Sequence, residues 1–225
     1  MAEAIKDIEI EIDKDEVCRY LGYRKDLGPN SSISSLIDEE MDEAYVLIQP
    51  LCFYQLMDIR RIRQPWVVLE DGLTITSDVL SRVLARCHQV TIFVASIGCD
   101  LEERVAQLMK DGQMLMATIL DAIGSEAAEK TACYLQDKVQ EVATSNGLDI
   151  TLRYSPGYCD WDITQQRVLF EAMDSSPLGV SLSEDCLMMP RKSVSGIIGV
   201  SRFKRYQLRY SPCRFCPKTD CQSRR

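Results

Sequence analysis

From near Gln113 to Ser145 the chain carries one unbroken helical pattern, with Ala128, Ala132, Leu135, Val139 and Val142 falling on a single face. An apolar stripe of that kind must be covered by another layer, so the fold has to be arranged around this helix. The run from Val90 to Ile97 is apolar and β-branched and ends at Gly98, which suits a buried strand. Around these two elements the rest falls into place. Ile5, Ile8, Ile10 and Ile12 alternate with acids as in a half-buried strand, and Asp15 and Glu16 open a short helix. Ser31 to Ser35 lead into an acidic surface helix with Ile37, Met41, Tyr45 and Ile48 on one side, stopped by Pro50. Val67 to Leu69 and Leu73 to Ile75 form a hairpin, and a helix follows from Ser77 to Arg86. Ile150 to Tyr154 reads as a strand, Pro156-Gly157 as a turn, and Asp162 to Gln165 as a capping box for a helix to Met173. Residues 178–200 return to strand character, broken by Pro190. Helices and strands are mixed without regular βαβ alternation, so an α+β fold is expected in preference to a doubly wound sheet.

With 225 residues, 46% hydrophobic and 27% charged, the chain buries a substantial core without metals or disulfides. That excludes a disulfide-framework scaffold and wholesale disorder. The sequence opens without a charged-then-apolar leader, and no apolar run approaches the ~20 residues that span a bilayer. A cytoplasmic location with reduced cysteines and no membrane association is therefore the expectation. There are ten cysteines but one histidine, His88, which sits between Cys87 and the strand at Val90 and reads as structural. Chemistry then falls to carboxylates, thiols, a cofactor or a metal. The net charge of -8 is unevenly spread. Residues 191–225 hold ten Lys and Arg against one acid, Asp220, while the first 190 carry a net -17. A basic end on an acidic body suits docking to an acidic partner; it lacks a nucleic-acid-binding motif, and no nucleic acid is expected.

Two stretches carry recognisable chemistry. Arg153-Tyr154-Ser155-Pro156-Gly157-Tyr158 sets a planar cation before a tight turn that leads to a helix start. A guanidinium pairs bidentately with a carboxylate, and a glycine admits a ligand close to the backbone; the bland alternative is a turn that happens to contain an arginine. On the long helix Glu126 lies opposite the apolar stripe and reads as solvated. Glu129 lies at its flank, about 100° from Ala128, either lining a cleft or solvated.

The hexapeptide, with Asp160-Trp161 and Gln165-Gln166 after it, resembles the S-adenosylmethionine-binding stretch of the cobalamin-dependent methionine synthase activation domain. Ser183 to Gly199, containing Met188-Met189-Pro190-Arg191-Lys192-Ser193-Val194-Ser195-Gly196, resembles that family's second segment. Gly124 to Val139, with Ala128-Glu129 and Tyr134-Leu135, is similar to its glutamate-bearing helix. The resemblance covers residues 90–210 and implies a twisted, largely antiparallel sheet with packed helices. It implies that Arg153 holds the carboxylate of S-adenosylmethionine, that Ser155, Pro156, Gly157 and Tyr158 shape the adenosine pocket, and that Glu129 faces the ligand's cationic side. Tyr206 falls where the family has another contacting tyrosine, in poorly matching surroundings. Met188 and Met189 either border an adenine or a corrin ring or pack. The family's early aspartate has no assigned counterpart.

The expected organisation is an N-terminal part over 1–60, a ligand-binding core over 61–210 and a basic cysteine-rich tail over 211–225. In that tail Cys213, Cys216 and Cys221 form a Cys-x2-Cys-x4-Cys cluster without counterpart in the family. It reads either as an iron-sulfur or zinc site, with Cys159 or Cys186 as a further ligand, or as a flexible thiol tail or adventitious disulfide. By resemblance the chain is a stand-alone reactivation protein, without catalytic side chains of its own. It would support reductive methylation of cob(II)alamin carried by a partner methyltransferase, with flavodoxin or ferredoxin as electron donor. The rival readings are a metal- or iron-sulfur-binding redox accessory protein and a reactivator of another corrinoid protein.

Overall fold

In the computed structural model, residues 2–24, 27–173, 179–202, 216 and 220 are described. The apolar run lies at the centre of a seven-stranded sheet. Its strand, β5 (Gln89–Ser96), pairs antiparallel along its whole length with β2 (Leu51–Arg63) on one side and β9 (Ser193–Ser201) on the other. Alternate residues of β5 face opposite layers, as the pleat requires. Val90, Ile92 and Val94 join Met57, Leu69, Leu84, Trp161 and Leu169 in one core, whereas Phe93 and Ala95 join Ala132, Leu135, Val139 and Ile198 in another. Both faces are covered, which is why this strand carries no polar alternation.

The sheet is completed by β1 (Ala2–Ile5), β3 (Trp66–Leu69), β4 (Thr74–Thr76) and β6 (Asp149–Ile150), in the order β4-β3-β2-β5-β9-β6 with β1 also on β2. Every pairing is antiparallel. A register shift between Ile59 and Arg61 bends β2, so its first half pairs with β1 and β5 and its second half with β3. The long helix α5 (Met114–Ser145) packs its C-terminal half on the sheet. Its N-terminal half forms a third core with α1 (Lys14–Tyr20), α2 (Ser31–Leu47) and α4 (Asp100–Lys110), through Val17, Ile37, Leu101, Val105, Leu120 and Ile123. The short helices α3 (Asp78–Val83) and α6 (Gln166–Ala172) and a small hairpin of β7 (Ser181–Leu182) and β8 (Met188–Met189) complete the described fold. It is the α+β, largely antiparallel arrangement that the sequence predicts.

The differences are local and have physical causes. The opening strand stops at Ile5, because Asp7 turns the backbone to φ 55; Ile8 and Ile12 are nevertheless buried. In α2 the buried row is Ile37, Glu40 and Ala44, so the acidic surface helix buries one of its own acids. Strand pairing in the predicted 150–154 segment is reduced to β6 and a single bridge between Tyr154 and Ile197. No helix among the described residues is long and apolar enough to cross a membrane. Tyr206, Cys213 and Cys221 lie outside the described residues.

Candidate functional site

Arg153 follows β6, and its orientation is set by its neighbour. Tyr154 exchanges both backbone hydrogen bonds with Ile197 on β9, at 2.9 and 2.8 Å, and turns its ring into the core. Strand alternation then sends the Arg153 side chain the other way, toward α5. There one helix face receives it. The Arg153 amide donates to Gln136 Oε1 at 3.0 Å, and its Nη2 donates to Glu129 Oε2 at 2.5 Å and contacts Cys133 Sγ at 3.7 Å. Glu129, Cys133 and Gln136 are spaced four and three residues apart, which stacks them on one side of a helix. The two charged side chains are 21% and 32% exposed, so the pair is neither solvated nor sealed. Arg153 Nη1 is buried and has no hydrogen-bond partner among the described residues. Burial opposes the guanidinium's charge, but the Glu129 carboxylate, helped by Cys133 and Tyr158, outweighs it and raises the pKa.

The turn after Arg153 is built from the residues singled out in the sequence. Tyr158 N–H donates to the Ser155 carbonyl, Trp161 N–H to the Tyr158 carbonyl, and Gly157 N–H to the Trp161 carbonyl at 2.7 Å. Gly157 takes φ +91, which favours glycine, and is exposed. Pro156 is buried, Ser155 is half-buried, and Tyr158 is 53% exposed beside Arg153. Two side chains fasten the far end of the turn. Asp160 accepts from Ser77 Oγ at 2.7 Å and Asp78 N–H at 2.6 Å, capping α3. Gln165 gives and receives backbone bonds with Thr76, at 2.8 and 2.7 Å, as an extra strand residue would. The predicted capping box is thereby corrected. Asp162 does cap the short 3-10 turn Ile163–Gln165, through Thr164, but the Gln165 side chain is committed to β4 instead of reaching back.

The second motif holds the same region from behind. A Cβ on Gly196 would overlap the Tyr154 carbonyl oxygen, so only glycine permits the bridge that aims Arg153. Lys192 Nζ meets Asp121 Oδ1 at 2.9 Å and Ser125 Oγ at 2.8 Å, while its amide donates to Glu102 Oε1 at 2.6 Å. Met188 is half-buried against the core that holds Trp161, and Met189 is 49% exposed.

Glu126 departs from expectation, being 4% exposed, because α1 packs over that side of α5. Burial raises its pKa, opposed by Lys130 at 3.5 Å. The same helix brings Tyr20 into electrostatic range of Glu129; burial first and that carboxylate second push the phenol's pKa up. Nothing in the local sequence marks Tyr20, whose place follows from how α1 lies on α5. Arg167 was equally unmarked. Its Nε contacts buried Cys186 Sγ at 3.2 Å and its Nη2 bonds the Glu184 carbonyl, holding the β7-β8 turn. Cys186 is thus engaged within that turn, Cys159 is half-buried, and Cys216 is half-buried. Among the described residues no cluster of three or more His, Cys, Asp or Glu is placed to hold a metal ion.

What the site offers chemically is a half-buried cation with an unpartnered donor, a carboxylate beside it and a glycine turn alongside. Residues 63–208 match the model of the vitamin B12 dependent methionine synthase activation domain. The chain belongs to this family. The matched span takes in Glu129, the Arg153 to Tyr158 turn and the Gly196 bridge. Among solved structures, the crystal structure of the MetH reactivation domain bound to AdoHcy is similar to this activation domain, with a TM-score of 0.67 over 94% of this chain and 81% of that one. Their identity is 15%, so the likeness is one of fold. No curated protein matches this chain.

Proposed function

We propose that this activation domain binds S-adenosylmethionine at the Arg153 turn and presents it to cobalamin carried by a partner methyltransferase, supporting reductive methylation of cob(II)alamin to methylcobalamin. The observation that carries the reading is the Arg153 guanidinium, half-sequestered, held by Glu129 and left with an unpartnered buried Nη1. An amino-acid end group carries a carboxylate and an ammonium side by side. Arg153 Nη1 and Glu129 present the complementary charges side by side. The turn from Ser155 to Tyr158 supplies backbone groups and an aromatic face for the nucleoside, with Gly157 allowing close approach. The fold likeness to a reactivation domain bound to AdoHcy supports this ligand class.

When bound, S-adenosylmethionine supplies an electrophilic methyl group. The chain's own contribution is placement: Arg153 fixes one end of the ligand, the turn fixes the other, and α5 with β9 keeps the two in register. The external electron comes from a flavodoxin or ferredoxin, and the basic end of the chain, at +9 over residues 191–225, provides the attraction for an acidic partner. The test is anaerobic spectrophotometry of a cobalamin-loaded methyltransferase module in the cob(II)alamin state, given reductant and S-adenosylmethionine. Methylcobalamin forms only when this protein is added. Equal conversion without it, or none with it, contradicts the proposal.

A further inference from the structure

His88 is the chain's one histidine. Its backbone closes the sheet, N–H to the Val200 carbonyl at 3.0 Å and carbonyl to the Ile59 N–H at 2.8 Å. Its side chain is not so engaged: Nδ1 is buried with no hydrogen-bond partner among the described residues. A buried polar atom without a partner costs stability unless something else satisfies it. The ring lines an open pocket of about 400 Å³ beside the register shift in β2. The other walls are Asp58, Ile59 and Arg60 of β2, Glu70 of the β3-β4 turn and Arg202 just after β9.

The charges of this pocket are balanced, two guanidinium groups against two carboxylates. Asp58 Oδ1 accepts from Gln89 Nε2 at 2.8 Å, whereas Arg60 and Arg202 make no ion pair among the described residues. A bare anion would meet Asp58 and Glu70 as well as the arginines; a bare cation would meet the reverse. A metal ion finds no set of three ligating groups there. A molecule carrying both charges a few ångströms apart satisfies all four walls, and a neutral imidazole nitrogen adds a directional hydrogen bond. We infer that this pocket binds a compact zwitterion of the α-amino-acid class, carboxylate toward Arg60 and Arg202, ammonium toward Asp58 and Glu70, with a hydrogen bond to His88 Nδ1. The ring's state agrees: burial and then Arg202 hold its pKa below the ordinary value, against the pull of Asp58, so it is neutral at pH 7.

One histidine gives one ring signal. The full chain labelled with 15N-histidine is titrated with L-alanine or L-methionine, and in parallel with acetate and methylammonium. Both amino acids shift the His88 ring nitrogens saturably, and neither single-charge probe does so at the same concentration. Arg202→Ala and Glu70→Gln each weaken the amino acids by about tenfold, the loss expected for one charge-assisted hydrogen bond. Arg153→Ala, in the other site, leaves the titration unchanged, which separates this site from the proposed S-adenosylmethionine site. Because Arg60 is exposed, Arg60→Ala serves as a third variant should either of the first two unfold. A linear, non-saturating shift, an acetate response equal to that of L-alanine, or variants that bind as wild type would overturn the assignment.

Discussion

At the residue scale the most exacting arrangement is the Glu129-Arg153 pair, since each charge is partly removed from water and each steadies the other. Removing one partner leaves the other uncompensated, which costs more than a surface pair would. Arg153→Lys keeps a charge but loses the planar fork, so ligand affinity falls by about tenfold or more while the fold persists; equilibrium dialysis with labelled S-adenosylhomocysteine reads the change. Glu40 provides a separate test of the packing. It is 2% exposed, its Oε2 has no partner among the described residues, and its pKa is raised by burial, then by Glu43, against Arg104. A carboxyl group whose folded pKa is raised loses its contribution as pH climbs through that folded value. Glu40→Gln is therefore expected to raise Tm at pH 7 by about 2–4 °C, equivalent to about 1 kcal/mol. By about pH 4, where an unfolded glutamate also protonates, the advantage disappears. An equal gain at both pH values, or a loss at pH 7, would contradict this account of Glu40. Its burial could not be read locally, because Asp38, Glu39, Glu40, Asp42 and Glu43 present one acidic run and only the packing of α2 chooses which one faces inward.

Elements place the site more than any single contact does. The turn after Arg153 hangs from three attachments: Tyr154 on β9, Asp160 on the start of α3 and Gln165 on β4. Gly196→Ala forces its Cβ against the Tyr154 carbonyl, and relief requires the bridge to open. The expected cost is about 1–3 kcal/mol in chemical denaturation, the range for overpacking, with ligand affinity falling because Arg153 loses its aim. Asp160→Ala removes the acceptor for the α3 amides and costs about 1 kcal/mol, as cap losses do; its effect on affinity separates attachment of the turn from direct ligand contact. Much at this level was legible beforehand. The β-branched run became the central strand, the long helical stripe became α5 with Ala128, Ala132, Leu135 and Val139 buried but Val142 exposed near its end, and the glycine turn is a turn. What could not be read was β2, whose residues Leu51–Arg63 mix apolar and charged side chains and owe their strand state to partners on both edges. The Gln165 link is illegible for a similar reason, since a glutamine mimicking backbone leaves no periodic trace.

For the whole molecule, charge is segregated along the sequence, a net -17 over the first 190 residues and +9 over residues 191–225. Association with an acidic electron donor is expected to weaken steeply between low and physiological ionic strength, because charges further apart than about 8–10 Å are then screened. A salt-independent affinity in sedimentation or surface binding would count against charge-guided docking. The candidate site was legible in the sequence at Arg153, Gly157 and Gly196, where the motif itself dictates turn and approach. It was illegible at Tyr20, Cys133 and Gln136, which enter only because α1 and the Arg153 segment lie against α5. All of them converge on one claim, that Arg153 anchors the ligand. Isothermal calorimetry with S-adenosylmethionine on the wild type and on Arg153→Ala tests it most directly. Saturable one-to-one binding is expected, falling by about tenfold to a hundredfold in the variant, as loss of a charged hydrogen-bonding partner entails. Absence of binding to the wild type, or affinity indifferent to the substitution, would contradict it.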